Sequence, residues 1–130
     1  MTTTWLKRLI PAFAIAAAAA LTAIPATAAK DGDVLVRGTC TKASASKLKL
    51  SEEDGRIEVE FEVDQNRNGV RWTIVLRRPS AILVRTTRVT RAPSGSFELR
   101  RVVADLAGRD RISARATSPS GEVCRATAAF

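Results

Sequence analysis

Arg56-Ile57-Glu58-Val59-Glu60-Phe61-Glu62-Val63-Asp64 is the stretch that decides the fold. Ile57, Val59, Phe61 and Val63 alternate with Arg56, Glu58, Glu60, Glu62 and Asp64, so one face is apolar and the other charged. Successive side chains of a strand point to opposite faces, and this period of two predicts a half-buried antiparallel strand. The period recurs downstream. Val70, Trp72, Ile74 and Leu76 alternate with Arg71, Thr73 and Arg77; Ile112, Ala114 and Ala116 with Arg111, Ser113 and Arg115; Cys124, Ala126, Ala128 and Phe130 with Arg125 and Thr127.

Less regular strands are expected over Val34 to Cys40, Lys47 to Leu50, Ala81 to Val89 and Phe97 to Val103. In the last, Arg100-Arg101 breaks the phase and predicts a bulge. Turn signals separate the strands: Glu52-Glu53-Asp54-Gly55, Asn68-Gly69, Arg78-Pro79-Ser80, Pro93-Ser94-Gly95, Gly108 and Pro119-Ser120-Gly121. The last fixes a register. A three-residue loop over 119–121 pairs Ala116 with Cys124, Ala114 with Ala126 and Ile112 with Ala128, inward residue against inward residue. A four-residue loop sets Cys124 opposite Arg115 and fails. No segment after the leader keeps a 3.6-residue period, so seven or eight short strands are expected to form an all-β antiparallel sandwich.

The leader reads differently. Lys7 and Arg8 precede an uncharged run from Leu9 to Leu21, Pro25 closes it, and Ala26-Thr27-Ala28 supplies the small residues of a cleavage site. A signal peptide over 1–28 is expected, cut after Ala28 or one residue later, leaving a single domain over 29–130. A membrane anchor is the rival, but the run is 13 residues where spanning takes about 20. The expected address is extracellular, with no membrane span after cleavage.

The chain from Ala29 carries 19 basic and 13 acidic residues, a net +6, and 15 of the basic residues are Arg. Such a balance suits an anionic cell-surface polymer or protein. No Lys/Arg run exceeds two, and the charges interleave with acids, which also fits plain solubility. Cys40 and Cys124, an even pair in an exported chain, are expected to form a disulfide. With no His in the chain and no second Cys pair, no metal or cofactor is expected.

Gly95-Ser96-Phe97-Glu98-Leu99, Asp110-Arg111-Ile112-Ser113-Ala114-Arg115-Ala116 and the Gly121 turn resemble the last strands of bacterial immunoglobulin-like domains. The resemblance implies an immunoglobulin-like sandwich and nothing about activity. The chain departs from the pattern in having no Tyr for the corner of true immunoglobulin domains. Its Cys pair also joins the first and last strands. Trp72 stands mid-chain, where a core Trp belongs.

Four groups of residues are candidates for function. Asp64, Asn66 and Asn68, followed by Gly69, have the first half of a calcium loop, but Val75 stands where a bidentate Glu is needed. A polar turn explains the same residues. Glu58, Glu60 and Glu62 share a strand face and are expected to be solvated, with Arg71 among their partners. Ser44, Ser46 and Lys47 leave Ser–Lys chemistry formally open, with nothing to position it; His-based catalysis is excluded. Arg85, Arg88 and Arg91 lie in a threonine-rich strand, where Arg85 and Arg91 share one face and Arg88 takes the other. They form a candidate anion-binding site if Arg77, Arg78, Arg100 and Arg101 extend them, and otherwise they are edge-strand charges that deter aggregation. Specific nucleic-acid reading is not expected, because the few aromatics fall at inward positions. The residues point to a non-enzymatic binding or structural module; a carrier or inhibitor with a pocket between the sheets is the alternative.

Overall fold

The computed structural model describes residues 32–130, and the leader expected over 1–28 lies outside them. The described residues form nine strands and no helix: β1 (Val34–Arg37), β2 (Thr39–Cys40), β3 (Ala45–Glu53), β4 (Arg56–Asp64), β5 (Arg71–Arg78), β6 (Ala81–Val89), β7 (Ser96–Ala104), β8 (Arg111–Thr117) and β9 (Val123–Ala129). Two antiparallel sheets pack as a sandwich, one in the order β1-β3-β4-β7 and the other in the order β2-β9-β8-β5-β6.

The strand count exceeds seven or eight because the opening segment is two strands in different sheets. β1 pairs with β3, and β2 pairs with β9. Gly38 makes the crossing. A Cβ there would stand 2.1 Å from Ser46 Oγ and 2.6 Å from the Arg125 carbonyl oxygen, and its N–H donates to the Ser46 carbonyl at 2.9 Å. Such a close backbone approach has room for glycine alone.

The deciding stretch is β4, paired residue for residue with β3 from Ala45↔Asp64 to Glu53↔Arg56. Asp54-Gly55 turns the hairpin with φ of 48° and 74°, the two positive angles that a type I′ turn requires. At the other end of the chain the three-residue loop holds as expected: Ala116 faces Cys124, Ala114 faces Ala126, Ile112 faces Ala128, and Gly121 has φ of 83°. The bulge expected at Arg100-Arg101 is absent, since β7 pairs with β4 without interruption. Arg101 keeps the inward phase because β7 is a sheet edge, and its half-exposed guanidinium turns back to the Arg100 carbonyl at 2.9 Å. The irregularity lies at Leu76/Arg77 against β6.

Trp72, Phe61, Leu48, Leu50, Ile74, Leu76, Leu99 and Ile112 are fully buried between the sheets. The Trp72 ring meets Phe97 of the opposite sheet at a centroid distance of 6.0 Å, tilted by 53°, and its indole N–H donates to Gln65 Oε1 at 3.1 Å. A buried Trp thus keeps both its apolar contacts and a partner for its polar atom. Cys40 and Cys124 are direct partners on β2 and β9, with Cα atoms 4.0 Å apart and a disulfide between them. At the far end of β5, Arg78 Nε donates to the buried Asp110 carboxylate at 3.1 Å, and Asp110 also accepts from the Leu106 N–H at 2.8 Å. That pair anchors the β7–β8 loop. It closes the end of the sandwich and leaves the outer faces free.

Candidate functional site: the outer face of the five-stranded sheet

Because Trp72, Ile74 and Leu76 point inward, the alternate residues of β5 and all their cross-strand partners point outward. Register then places the side chains in rows across the sheet. One row runs Arg125–Arg115–Val75–Arg85 over β9, β8, β5 and β6. The next runs Val123–Thr117–Thr73–Thr87, and Arg71 stands beyond it beside Val89. On the other side lie Thr127–Ser113–Arg77 and then Arg111. Neighbouring strands are about 4.8 Å apart, so guanidinium groups and hydroxyls interleave within reach of one extended ligand.

Among the described residues this face carries six arginines, Arg71, Arg77, Arg85, Arg111, Arg115 and Arg125, and no carboxylate. Arg71, Arg85 and Arg115 surround a concavity of about 510 Å³ whose floor is Thr73, Val75 and Thr117, with Ser118 and Pro119 at its end. Arg85 and Arg115 also border an adjoining hollow of about 210 Å³ with Arg77 and Ser113. Every polar group around the main hollow is a hydroxyl or a guanidinium, a surface rich in donors. Planar guanidinium groups pair bidentately with sulfate, phosphate or carboxylate.

The other sheet is built in contrast. Its outer face sets Glu53, Glu58, Glu60, Glu62, Asp64 and Glu98 against Arg37, Lys47, Lys49, Arg56 and Arg100. Ion pairs neutralise it: Lys47 with Glu62 at 3.1 Å, Lys49 with Asp33 at 3.1 Å and Glu60 at 3.7 Å, and Arg100 with Glu58. The sequence pattern predicts solvated glutamates partnered by Arg71. Instead Glu58 is only 7 % exposed, because Arg100 on the neighbouring strand covers it, and Arg71 belongs to the opposite sheet. The hydrogen bond from Arg100 lowers the Glu58 pKa despite its burial. Glu60 moves the other way, raised by burial and by its hydrogen bond with Glu58, against the pull of Lys49. Asp33, hydrogen-bonded to Lys49, raises the pKa of that lysine. With one face compensated internally, the chain's positive excess concentrates on the five-stranded sheet.

The sequence candidates are distributed accordingly. Arg85 lies on the basic face, on its edge strand β6. Arg88 pairs with Trp72 and takes the inner side of β6, where it donates to Thr86 Oγ1 at 3.4 Å and to the Thr87 carbonyl at 2.9 Å. Arg91 lies past β6, in a bridge with Ser96 at the turn toward the other sheet. The three are therefore not brought together. Arg85 is joined instead by Arg71, Arg115 and Arg125. Their outward phase was visible in the alternation, but strand order, a long-range property, decides that they meet.

The Asp64–Gly69 loop is held by the Asp64 carboxylate from within and by Thr90 from the end of β6. Asp64 Oδ1 accepts from the Asn66 N–H at 3.0 Å, and Asn66 and Gly69 take φ of 57° and 77°. Thr90 Oγ1 donates to the Arg67 carbonyl at 2.5 Å and accepts from the Val70 N–H at 3.0 Å. Asn68 is exposed at the tip. These contacts account for the loop as a polar turn. Among the described residues no group of three His, Cys, Asp or Glu side chains is placed to hold a metal ion. Ser44 and Lys47 diverge, Ser44 Oγ donating to the buried Glu122 and Lys47 pairing with Glu62; Ser46 is buried beside Cys40. Among the described residues the aromatics, Phe61, Trp72, Phe97 and Phe130, are all buried, so none of them offers a platform for stacking bases on the basic face.

No family model matches the chain, and no curated protein or solved structure matches it either.

Proposed function

We propose that the protein is a secreted, non-enzymatic binding module of immunoglobulin-like type that engages an anionic cell-envelope polymer through the outer face of its five-stranded sheet. One observation carries this reading: six arginines and no carboxylate share that face, while acids and bases nearly balance on the opposite face and Glu58, Glu60 and Glu62 there are held in ion pairs. Like charges gathered without counter-charges repel one another, and an anionic ligand relieves the repulsion. An extended polymer fits better than a small molecule, since the arginine row crosses four strands and its concavity is one hollow within a longer surface. The disulfide suits an oxidising compartment, and no helix of the described residues is long and apolar enough to cross a membrane.

The order β2-β9-β8-β5-β6 and the buried Trp72 on β5 support the immunoglobulin-like assignment. The β3–β4 hairpin within one sheet departs from it, because immunoglobulin domains cross to the second sheet after strand B. A carrier with a pocket between the sheets finds no support, since Trp72, Phe61 and their neighbours fill that space.

Titrating ¹⁵N-labelled protein with heparin, used as a generic sulfated polymer, tests the reading. Amide shifts centred on Thr73, Thr87 and Thr117 that fade at high salt are expected, because exposed charges are screened within about 10 Å at 0.1 M. Shifts centred on the Lys47–Glu62 face, or none, refute it. Mass spectrometry of secreted protein is expected to find Ala29 or Lys30 at the N-terminus.

A further inference from the structure

β6 is the outermost strand of its sheet. It pairs with β5 on one side, and among the described residues no strand pairs with its other side. Register shows which backbone groups face that free edge. Thr90 donates its N–H to the Val70 carbonyl at 2.9 Å and accepts from the Gly69 N–H at 2.7 Å, so its polar groups point toward β5. Directions alternate along an antiparallel strand. Those of Arg88 and Thr86 therefore also point toward β5, and those of Val89, Thr87 and Arg85 point outward. The Arg88 guanidinium agrees, since it reaches round the edge to the Thr87 carbonyl at 2.9 Å.

The edge between Val84 and Val89 has no Pro, no Gly and no register break; the bulge lies nearer the start of β6. Its side chains differ by face. Arg85 and Thr87 look outward, while Leu83 and Val84 pack against the core. No acidic residue occurs on β6. A second copy pairing here would bring together two edges that each carry Arg85 and Arg88 and no acidic residue, which is unfavourable for lack of any counter-charge. The complementary occupant carries carboxylates toward Arg85 and small apolar groups toward Val84.

We infer that the free edge of β6 accepts an extended segment of a partner protein, alternating acidic and small apolar residues, as a sixth strand of the sheet. Main-chain bonds to Arg85 and Thr87 give such strand addition its affinity, and alternate side chains give it specificity. The Arg88 bond to the Thr87 carbonyl covers the edge until the segment displaces it. This surface is the rim of the sheet; it shares the Arg85 side chain with the basic face that the polymer would occupy, but its main-chain groups on β6 are not part of that face.

Amide hydrogen exchange of the protein with a synthetic ten-residue peptide of alternating Glu and Val tests the inference. The Arg85 and Thr87 amides are expected to exchange at least about tenfold more slowly when the peptide is bound. Thr87→Pro is expected to abolish binding, because it removes an edge N–H and leaves the ladder to β5 intact. A peptide of alternating Glu and Pro, with the same charge and few main-chain donors, is expected not to bind there. Unprotected Arg85 and Thr87 amides at saturating Glu-Val peptide overturn the inference, whether or not Thr87→Pro folds. So does equal binding of the Glu-Pro peptide. Protection that rises with protein concentration in the absence of peptide also overturns it, since the edge then pairs with a second copy.

Discussion

Arg115 on β8 and Arg125 on β9 are direct cross-strand partners on a face without carboxylates. Directly opposed like charges on a sheet cost about 0.2–1 kcal/mol relative to neutral pairs. The anionic ligand proposed above would offset that repulsion. Arg125→Thr is therefore expected to raise the unfolding free energy by up to about 1 kcal/mol while weakening retention on an anionic column. Urea unfolding and column elution, run on the same variant, check both signs.

The disulfide makes a second prediction. It closes a loop of 84 residues between the first and last parts of the domain. In the chain-entropy model a loop of that length is worth roughly 4 kcal/mol. Replacing Cys40 and Cys124 together by Ser is expected to lower the unfolding free energy by about that amount, measured by urea unfolding under non-reducing conditions.

Trp72→Ala empties the centre of the core and is expected to cost about 3–5 kcal/mol. Trp72→Phe keeps much of the ring volume but leaves Gln65 Oε1 without its indole donor, and a smaller loss is expected. Native tryptophan emission from a protein beginning at Ala29 reports Trp72 alone, and is expected at short wavelength, shifting red on unfolding.

Gly38→Ala is expected to destabilise by about 1–3 kcal/mol through overpacking, although its φ is not positive. The added Cβ meets Ser46 Oγ and the Arg125 carbonyl where the chain passes between sheets. Thermal unfolding checks this.

Acid sensitivity follows from the Glu58–Arg100 pair. The Glu58 pKa is lower folded than unfolded, so its contribution is present above the ordinary carboxylate range and is lost as pH falls through the folded value. Glu60 is raised and opposes this, since its protonation on acidification favours the folded state. Glu58→Gln is expected to flatten the loss of stability at acid pH, and Glu60→Gln to steepen it. Melting temperatures across the acid range decide the two signs.

Much of this fold was legible in the alternation of β4, β5, β8 and β9, because each strand has one buried face and a slip of one residue would expose it. The 119–121 loop was legible for the same reason. The split at Gly38 was not, since its cause is a close approach to Ser46 and to the distant Arg125 that only the assembled sheets create. The continuity of β7 through Arg101 depended on that strand being an edge. For the basic face, the outward arginines could be found one strand at a time, but proximity in sequence grouped Arg85 with Arg88 and Arg91. Sheet order groups it with Arg71, Arg115 and Arg125.

Retention on a heparin column, compared between two triple variants of equal charge loss, tests the central claim most directly. Arg71, Arg85 and Arg115 changed to Gln remove the arginines around the concavity; Arg37, Arg67 and Arg91 changed to Gln remove three exposed charges elsewhere. The first variant is expected to elute at much lower salt than the second, which should stay near the unmodified protein. Equal shifts would show that net charge alone governs binding, and would contradict a site on the five-stranded sheet.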